Sequence, residues 1–473
     1  MSSKKQINLL RGWPNPSLLP TPLISAASTT ALSNPDISIP GLLYGPDSGY
    51  QPLREEISRW MTRFYVSTPR RPPTIPYPEG WNTFVGEEER NADRICITGG
   101  ASQSLACVLQ VFSDPVKTRV WMVAPCYFLA CRIFGDSGLE IRAVGEGSEG
   151  VDLGALERGL RQSGEEGEKK PLKQPRPWSK IYRNIIYCVP TFSNPSGKTM
   201  SPFCRQNLVQ LARKYDALII TDDVYDFLQW PTSSASSTTS LSKAIIPRLV
   251  DVDRTLEPVP GPDSFGNAMS NGSFSKIVGP GVRTGWAEAT PKLIYGLSQC
   301  GSSRSGGAPS QLVATMMAEL LRSGELERHI KEVLNPAYEK RYGIMTRAIR
   351  QHLVPLEIKQ GEVTADGKDI FGGYFLWLEL PRDVSAKVVA DRAKVEENLI
   401  VAPGYIFEVE NDPSIKFQNS IRLCFSWEEE ADLEDGIERL ARVVRNVRDG
   451  MPPEMKGEGL GENGTKGEIG EFQ

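Results

Sequence analysis

Ser201-Pro202-Phe203-Cys204-Arg205-Gln206-Asn207-Leu208-Val209-Gln210-Leu211-Ala212-Arg213-Lys214-Tyr215-Asp216-Ala217-Leu218-Ile219-Ile220-Thr221-Asp222-Asp223 reads as a helix running directly into a buried strand. Ser201 supplies an N-cap and Pro202 a first-turn proline, while Leu208, Leu211, Ala212 and Tyr215 repeat at helical spacing. Residues 217–221 form a short apolar run that ends on two carboxylates. A helix feeding such a strand is the building unit of an α/β protein.

The same alternation extends outward. Residues 95–98 read as a strand, Gly99-Gly100 as a turn and 101–112 as a helix. Residues 120–123 form a second strand, followed by Pro125 and a helical 127–134, and 185–189 form a third strand. Short apolar strands separated by helical periods predict a mostly parallel sheet covered by helices. Beyond Ser310 the pattern turns more helical, over 311–321 and 325–351. Strand-like 373–380 and 421–425 follow, which predicts a smaller α+β lobe. Residues 162–180, rich in Glu, Lys and Pro, and 231–242, rich in Ser and Thr, are expected to be loops without fixed structure, and 452–473 a disordered tail.

At 473 residues with 40% hydrophobic content the chain can bury a large core, and a division into two lobes is expected. A net charge of −4 leaves no electrostatic footprint for nucleic acid. No run approaches a membrane-spanning length, and the N-terminus lacks the apolar core of a secretory signal, so a cytoplasmic location is expected. The eight cysteines show no zinc-type pairing and only His329 and His352 are present, so no metal site is expected. Proton transfer then falls to lysine, tyrosine or a carboxylate.

Candidate chemistry clusters at strand ends. In Ser273-Phe274-Ser275-Lys276-Ile277-Val278-Gly279-Pro280-Gly281-Val282-Arg283, a lysine amine sits among small residues with a cation nearby, as Schiff-base chemistry with an aldehyde requires. Arg283 is expected to suit a phosphate and to lower the lysine's proton affinity; a solvated surface lysine is the plainer alternative. Gly99-Gly100-Ala101-Ser102-Gln103 opens a helix where exposed amides favour an anion, or is an ordinary turn. Asp222 ends a buried strand, the ligand-binding edge of an open α/β sheet, where it either holds a pyridinium nitrogen with Tyr225 nearby or caps a following helix. Asn194 is a strand-end ligand or a turn residue, and Tyr127 a stacking face or packing. Arg422, inside an apolar strand, needs either a substrate carboxylate or an internal salt bridge.

The order of these features resembles the pyridoxal-phosphate aminotransferases of fold type I, class I/II, over roughly residues 6–450. The most specific match is Ser273-Phe274-Ser275-Lys276 with Pro280-Gly281 and Arg283. Ile7-Asn8-Leu9-Leu10-Arg11-Gly12-Trp13-Pro14 and the 371–380 segment resemble the fungal members of the branch holding 2-aminoadipate, kynurenine and aromatic aminotransferases. The resemblance implies an N-terminal arm (1–43), a large cofactor-binding domain (44–322), a small domain (323–451) and the tail (452–473). It implies that Lys276 bonds to the cofactor aldehyde, Asp222 pairs with the ring nitrogen, Tyr225 and Asn194 contact the ring hydroxyl, and Tyr127 stacks on the ring. Ala101, Ser102, Ser273 and Arg283 would hold the phosphate. Arg422, with Asn194 and Gly12, would take the substrate, and Tyr44 would reach the phosphate of a neighbouring subunit in a homodimer with shared sites.

The activity so implied is ping-pong transfer of an amino group from an aromatic or 2-aminoadipate-like L-amino acid to a 2-oxo acid such as 2-oxoglutarate. A C–S lyase, decarboxylase or cyclase on the same fold is the alternative, and a non-catalytic binding protein a third reading. The family's winged-helix regulators need an additional N-terminal domain, so a transcriptional role is not expected. Arg11 suits a distal carboxylate, whereas Trp13 and Tyr50 suit an aromatic pocket. Primary metabolism and a specialised biosynthetic pathway are both open.

Overall fold

In the computed structural model, residues 4–65, 91–167, 170–232, 241, 243–244, 246–258, 261, 263–304, 307–361 and 370–453 are described. An eight-stranded sheet carries the fold. Its order is Ile95–Thr98, Gly285–Glu288, Ala268–Ser273, Ala217–Asp222, Asn184–Cys188, Arg119–Ala124, Glu140–Gly147 and Gly150–Val151. Gly285–Glu288 runs antiparallel to both its neighbours and Gly150–Val151 pairs antiparallel at the edge; the other pairings are parallel.

The quoted stretch shows why the sheet is covered on both faces. Pro202–Lys214 is a helix whose first turn is capped by Ser201 Oγ, which accepts from Cys204 N at 3.2 Å. Its Leu208, Val209 and Ala212 pack with Ile219 and Ile186 on one face of the sheet. Leu218 and Ile220 point the other way, onto Leu105, Val108 and Phe112 of the helix Ala101–Phe112. All six residues of Ala217–Asp222 are buried, and each large aliphatic side chain so placed contributes roughly 1.5–3 kcal/mol.

A second, antiparallel sheet joins Lys359–Gln360, Phe375–Glu379, Ser420–Cys424 and Ala402–Pro403, and the helices Ala386–Glu397 and Glu430–Arg448 pack against each other beside it. The N-terminal Ile7–Asn8 pairs in parallel with Leu399–Ile400, and Cys424 N donates to Leu9 O at 2.7 Å. Residues 10–14 are thereby led back to the large sheet.

Two expectations change. No helix follows Asp222-Asp223; residues 224–227 form turns, so neither carboxylate is a cap. The 162–180 segment is not a free loop where it is described. Residues 162–165 complete the helix Leu153–Glu165, and Lys173 Nζ donates to the carbonyls of Leu109, Gln110 and Ser113 at 3.1, 3.1 and 2.7 Å. A cation there answers the carbonyls and negative dipole end of the helix Ala101–Phe112. Most of 231–242, and the tail from residue 454, lie outside the described residues. No helix among the described residues is long and apolar enough to cross a membrane. All eight cysteines are buried and unbridged.

Candidate active site

A cleft of about 230 Å³ opens at the carboxyl edge of the large sheet, between that edge, the Gly12-Trp13-Pro14 segment and the strands bearing Phe375 and Arg422. Strand register assembles its floor. Asp222 pairs laterally with Asn271, two residues before Ser273. Lys276 follows Ser273 through the single turn Phe274–Lys276, in which Ser273 Oγ accepts from Ser275 N at 3.1 Å. Lys276, Asp222, Tyr225, Asn194, Tyr127, Ala101, Ser102, Ser273, Arg283, Gly12 and Arg422 all line this one cleft.

Lys276 Nζ donates to Gly12 O at 2.8 Å and lies 5.7 and 5.4 Å from the ring centres of Tyr225 and Tyr374. Burial pushes the amine down to about 8; Arg422 acts in the same direction, with Cys424 and Asp222 opposing. The expected cation was Arg283, and that expectation is corrected. Arg283 is exposed, and its Nη2 and Nη1 donate to Gly99 O at 2.8 Å and Pro280 O at 3.0 Å. Arg283 therefore sits at the N-terminus of the helix Ala101–Phe112, beside Gly100. Gly100 has φ +97°, a backbone that favours glycine, and a Cβ there would stand 3.0 Å from Arg283 Nη2.

Asp222 Oδ2 accepts from Tyr187 Oη at 2.8 Å, and Asn271 Nδ2 lies 3.4 Å from Oδ1 while donating to Ala101 O at 2.9 Å. Burial pushes the carboxyl up to about 6, against the Tyr187 hydrogen bond. Asp223 faces away, accepting from Thr221 Oγ1 at 2.7 Å and from Ser270 Oγ. Tyr225 is buried edge-on against Tyr374 and Phe375, and its hydroxyl has no hydrogen bond among the described residues. Burial pushes Tyr127 up to about 12.

Arg422 is 3% exposed and has no acidic partner among the described residues, which removes the internal salt bridge from consideration. Its Nη1 donates to Asn194 Oδ1 at 2.8 Å and its Nη2 to Leu10 O, the Phe375 ring lies 4.1 Å from the guanidinium carbon, and Nε has no partner. Burial pushes it down to about 10. A buried cation without a counter-ion is costly; an incoming carboxylate resolves that cost.

Tyr44 is the predicted residue the cleft does not contain. It is 84% exposed, next to the exposed Leu42 and Leu43. Arg11 lies over two indoles packed edge-on against each other, 4.7 Å from the Trp13 ring and 4.9 Å from Trp427, and Tyr50 lies with Tyr44 on a separate cleft. Tyr187, Asn271 and Phe375 were missed as site residues. The available signals were a tyrosine near the end of an apolar strand and an asparagine inside a buried one. Outside the cleft, His352, Glu434 and Glu438 place ligand atoms within 4.8 Å of one another.

The family "Aminotransferase class I and II" matches residues 41–440. An uncharacterized protein of Saccharomyces cerevisiae is 33% identical over 93% of this chain and 97% of its own length. An aromatic-amino-acid aminotransferase of Thermococcus litoralis is 27% identical over 93% of this chain and 88% of its own. Among solved structures, the alpha-aminoadipate aminotransferase of Thermus thermophilus, complexed with N-(5'-phosphopyridoxyl)-L-leucine, superposes with TM-score 0.69 at 25% identity, covering 94% of this chain and 93% of that one. An α/β sheet with this cleft at its carboxyl edge and a match across most of the chain define the class: the chain belongs to the class I and II aminotransferase family and is an aminotransferase.

Proposed function

We propose that this pyridoxal-phosphate-dependent aminotransferase moves an amino group from a large apolar or aromatic L-amino acid to a 2-oxo acid such as 2-oxoglutarate by a ping-pong cycle. The observation that carries this is the convergence of Lys276, Asp222, Tyr225, Asn194 and the unpaired Arg422 on one cleft. The cofactor fits these groups. Its phosphate suits the amides opening at Ala101 and Ser102, with Ser273 and Arg283 beside them. Its ring nitrogen suits Asp222, its ring hydroxyl Tyr225 and Asn194, and its face Tyr127.

When bound, pyridoxal phosphate supplies an electron sink for the pair released when an amino acid's Cα–H bond breaks. Lys276, lowered to about 8 by burial, offers a neutral amine at mildly alkaline pH, first as a nucleophile and then as the base that takes the α-proton on Nζ. The Gly12 carbonyl orients that amine. Asp222, which accepts from Tyr187, would hold a proton on the ring nitrogen. Arg422 and Asn194 fix the substrate carboxylate, and Phe375 stacks against that guanidinium to exclude water.

Donor choice follows the walls. Leu10, Trp13, Pro14, Phe128, Leu129 and Phe375 are apolar, while Arg11 is engaged by Trp13 and Trp427. This supports an aromatic donor over a 2-aminoadipate-like one.

The same proposal includes a homodimer, supported by the exposed apolar Leu42, Leu43 and Tyr44. It also includes a cytosolic location, supported by unbridged cysteines. Its domain division is an arm (1–43), a large domain (44–322) and a small domain (323–451).

The test is an absorption spectrum of the protein with pyridoxal phosphate, before and after single amino acids without acceptor, beside Lys276→Ala. Conversion of the Lys276-dependent band with stoichiometric 2-oxo acid supports transamination. Catalytic release of pyruvate and ammonia, or of carbon dioxide, transfers the assignment to a lyase or decarboxylase.

A further inference from the structure

Behind Asn194 lies a second, much smaller cavity of about 20 Å³, walled by Glu146, Tyr127, Tyr187, Asn194 and Lys198. Glu146 is an acid buried in this wall, with a side chain 8% exposed. Its Oε1 accepts from Ser196 Oγ at 2.9 Å. Its Oε2 has no hydrogen-bond partner, and Lys198 Nζ stands off at 3.7 Å. A cavity of this size has room for one water, which would satisfy the orphan oxygen.

Ser196 belongs to the turn that presents Asn194. The turn closes on itself, with Ser193 N donating to Lys198 O at 2.9 Å and Gly197 N to Ser193 O at 2.7 Å. Side chains then tie it outward on two sides. Glu146, on the strand Glu140–Gly147, holds Ser196, and Arg422, on the strand Ser420–Cys424, holds Asn194 at 2.8 Å. Burying a glutamate whose nearest cation, Lys198, stands 3.7 Å away costs stability.

We infer that Glu146 is a positioning residue: through the Ser196 hydroxyl it sets the 193–198 turn so that Asn194 meets Arg422 at the substrate-carboxylate end of the cleft. The inference rests on the roles given above to Asn194 and Arg422. Glu146 does not line the cleft. Loss of its hydrogen bond loosens ground-state and transition-state binding alike, which raises KM more than it lowers kcat.

The experiment compares wild type with Glu146→Ala, Ser196→Ala and Glu146→Gln, each with cofactor bound. It measures KM and kcat for the best amino-acid donor, the Lys276-dependent absorption band and the melting temperature. Both alanine variants are expected to raise KM about 10-fold, the worth of one buried hydrogen bond, with kcat within about 3-fold and an intact band. Glu146→Gln is expected to restore KM, because its amide oxygen accepts the same bond. Wild-type KM in the alanine variants, a Gln variant as impaired as the alanine one, or losses that merely follow a lowered melting temperature overturn the inference alone. A wild type with no Lys276-dependent band overturns the site assignment, and this inference with it.

Discussion

Tyr187 Oη, on the strand beside Ala217–Asp222, donates to Asp222 Oδ2 at 2.8 Å and holds back the rise that burial imposes on that carboxyl. Folded, Asp222 titrates at about 6 against 3.8 for the free group, so the cofactor-free fold keeps a proton that the unfolded chain gives up. Its contribution to stability is complete below pH 3.8 and is lost as pH rises through about 6. The stability difference between the cofactor-free protein and its Asp222→Asn variant is expected to change across that window. In a Tyr187→Phe background the change extends to higher pH. Denaturant titrations at several pH values check this, and an unmoved window argues against the bond.

Arg422→Met is expected to lower kcat/KM for the amino-acid donor about 100-fold or more, since a charge-assisted contact to the substrate carboxylate is lost. The melting temperature should stay within a few degrees. The variant removes a buried cation without a counter-ion, and the Asn194 and Leu10 oxygens it frees belong to residues that line the cleft. A large drop in melting temperature together with unchanged kinetics would assign Arg422 to the fold instead.

The cofactor-free protein should capture pyridoxal, the phosphate-free aldehyde, with a rate that rises with pH about a midpoint near 8, where Lys276 loses its proton. Arg422→Met is expected to move that midpoint upward, because Arg422 disfavours the charged amine, whereas Arg283→Met should leave it in place. Stopped-flow absorbance measures all three. A wild-type midpoint near the 10.5 of an ordinary lysine rules out burial as the control.

Lys173→Ala should cost about 1 kcal/mol in urea denaturation, since the helix Ala101–Phe112 loses the cation at its carbonyl end. Activity below the melting transition should be unchanged. Equal stability of the two proteins would show that solvent replaces the lysine without cost.

Much of the fold was legible because hydrophobic periodicity is a local property. Leu208, Leu211, Ala212 and the 217–221 run told helix from strand, and the predicted strand at 95–98 and helix at 101–112 stand at those residues. Asp222 was legible for a related reason, since it ends an apolar run where a charged group faces solvent or a ligand, and Lys276 because it stands among serines and glycines with Arg283 seven positions on. Tyr187 and Asn271 were not, because their partner is set by lateral strand register, to which sequence spacing carries no direct clue. The 162–180 segment misled because its composition favours disorder, while one lysine in it finds three carbonyls more than fifty residues away.

By itself the sequence determined the α/β class, the family resemblance and the residue types brought to the cleft. Only the tertiary structure decided how their charges are partnered. It left Arg422 buried without an acid among the described residues, engaged Arg11 on the Trp13 and Trp427 rings, and set Arg283 on the Gly99 carbonyl, away from the Lys276 amine. Apolar burial follows patterns that repeat every two or 3.6 residues. Charge interactions depend on distance and desolvation between segments hundreds of residues apart, and those exist only once the chain has folded.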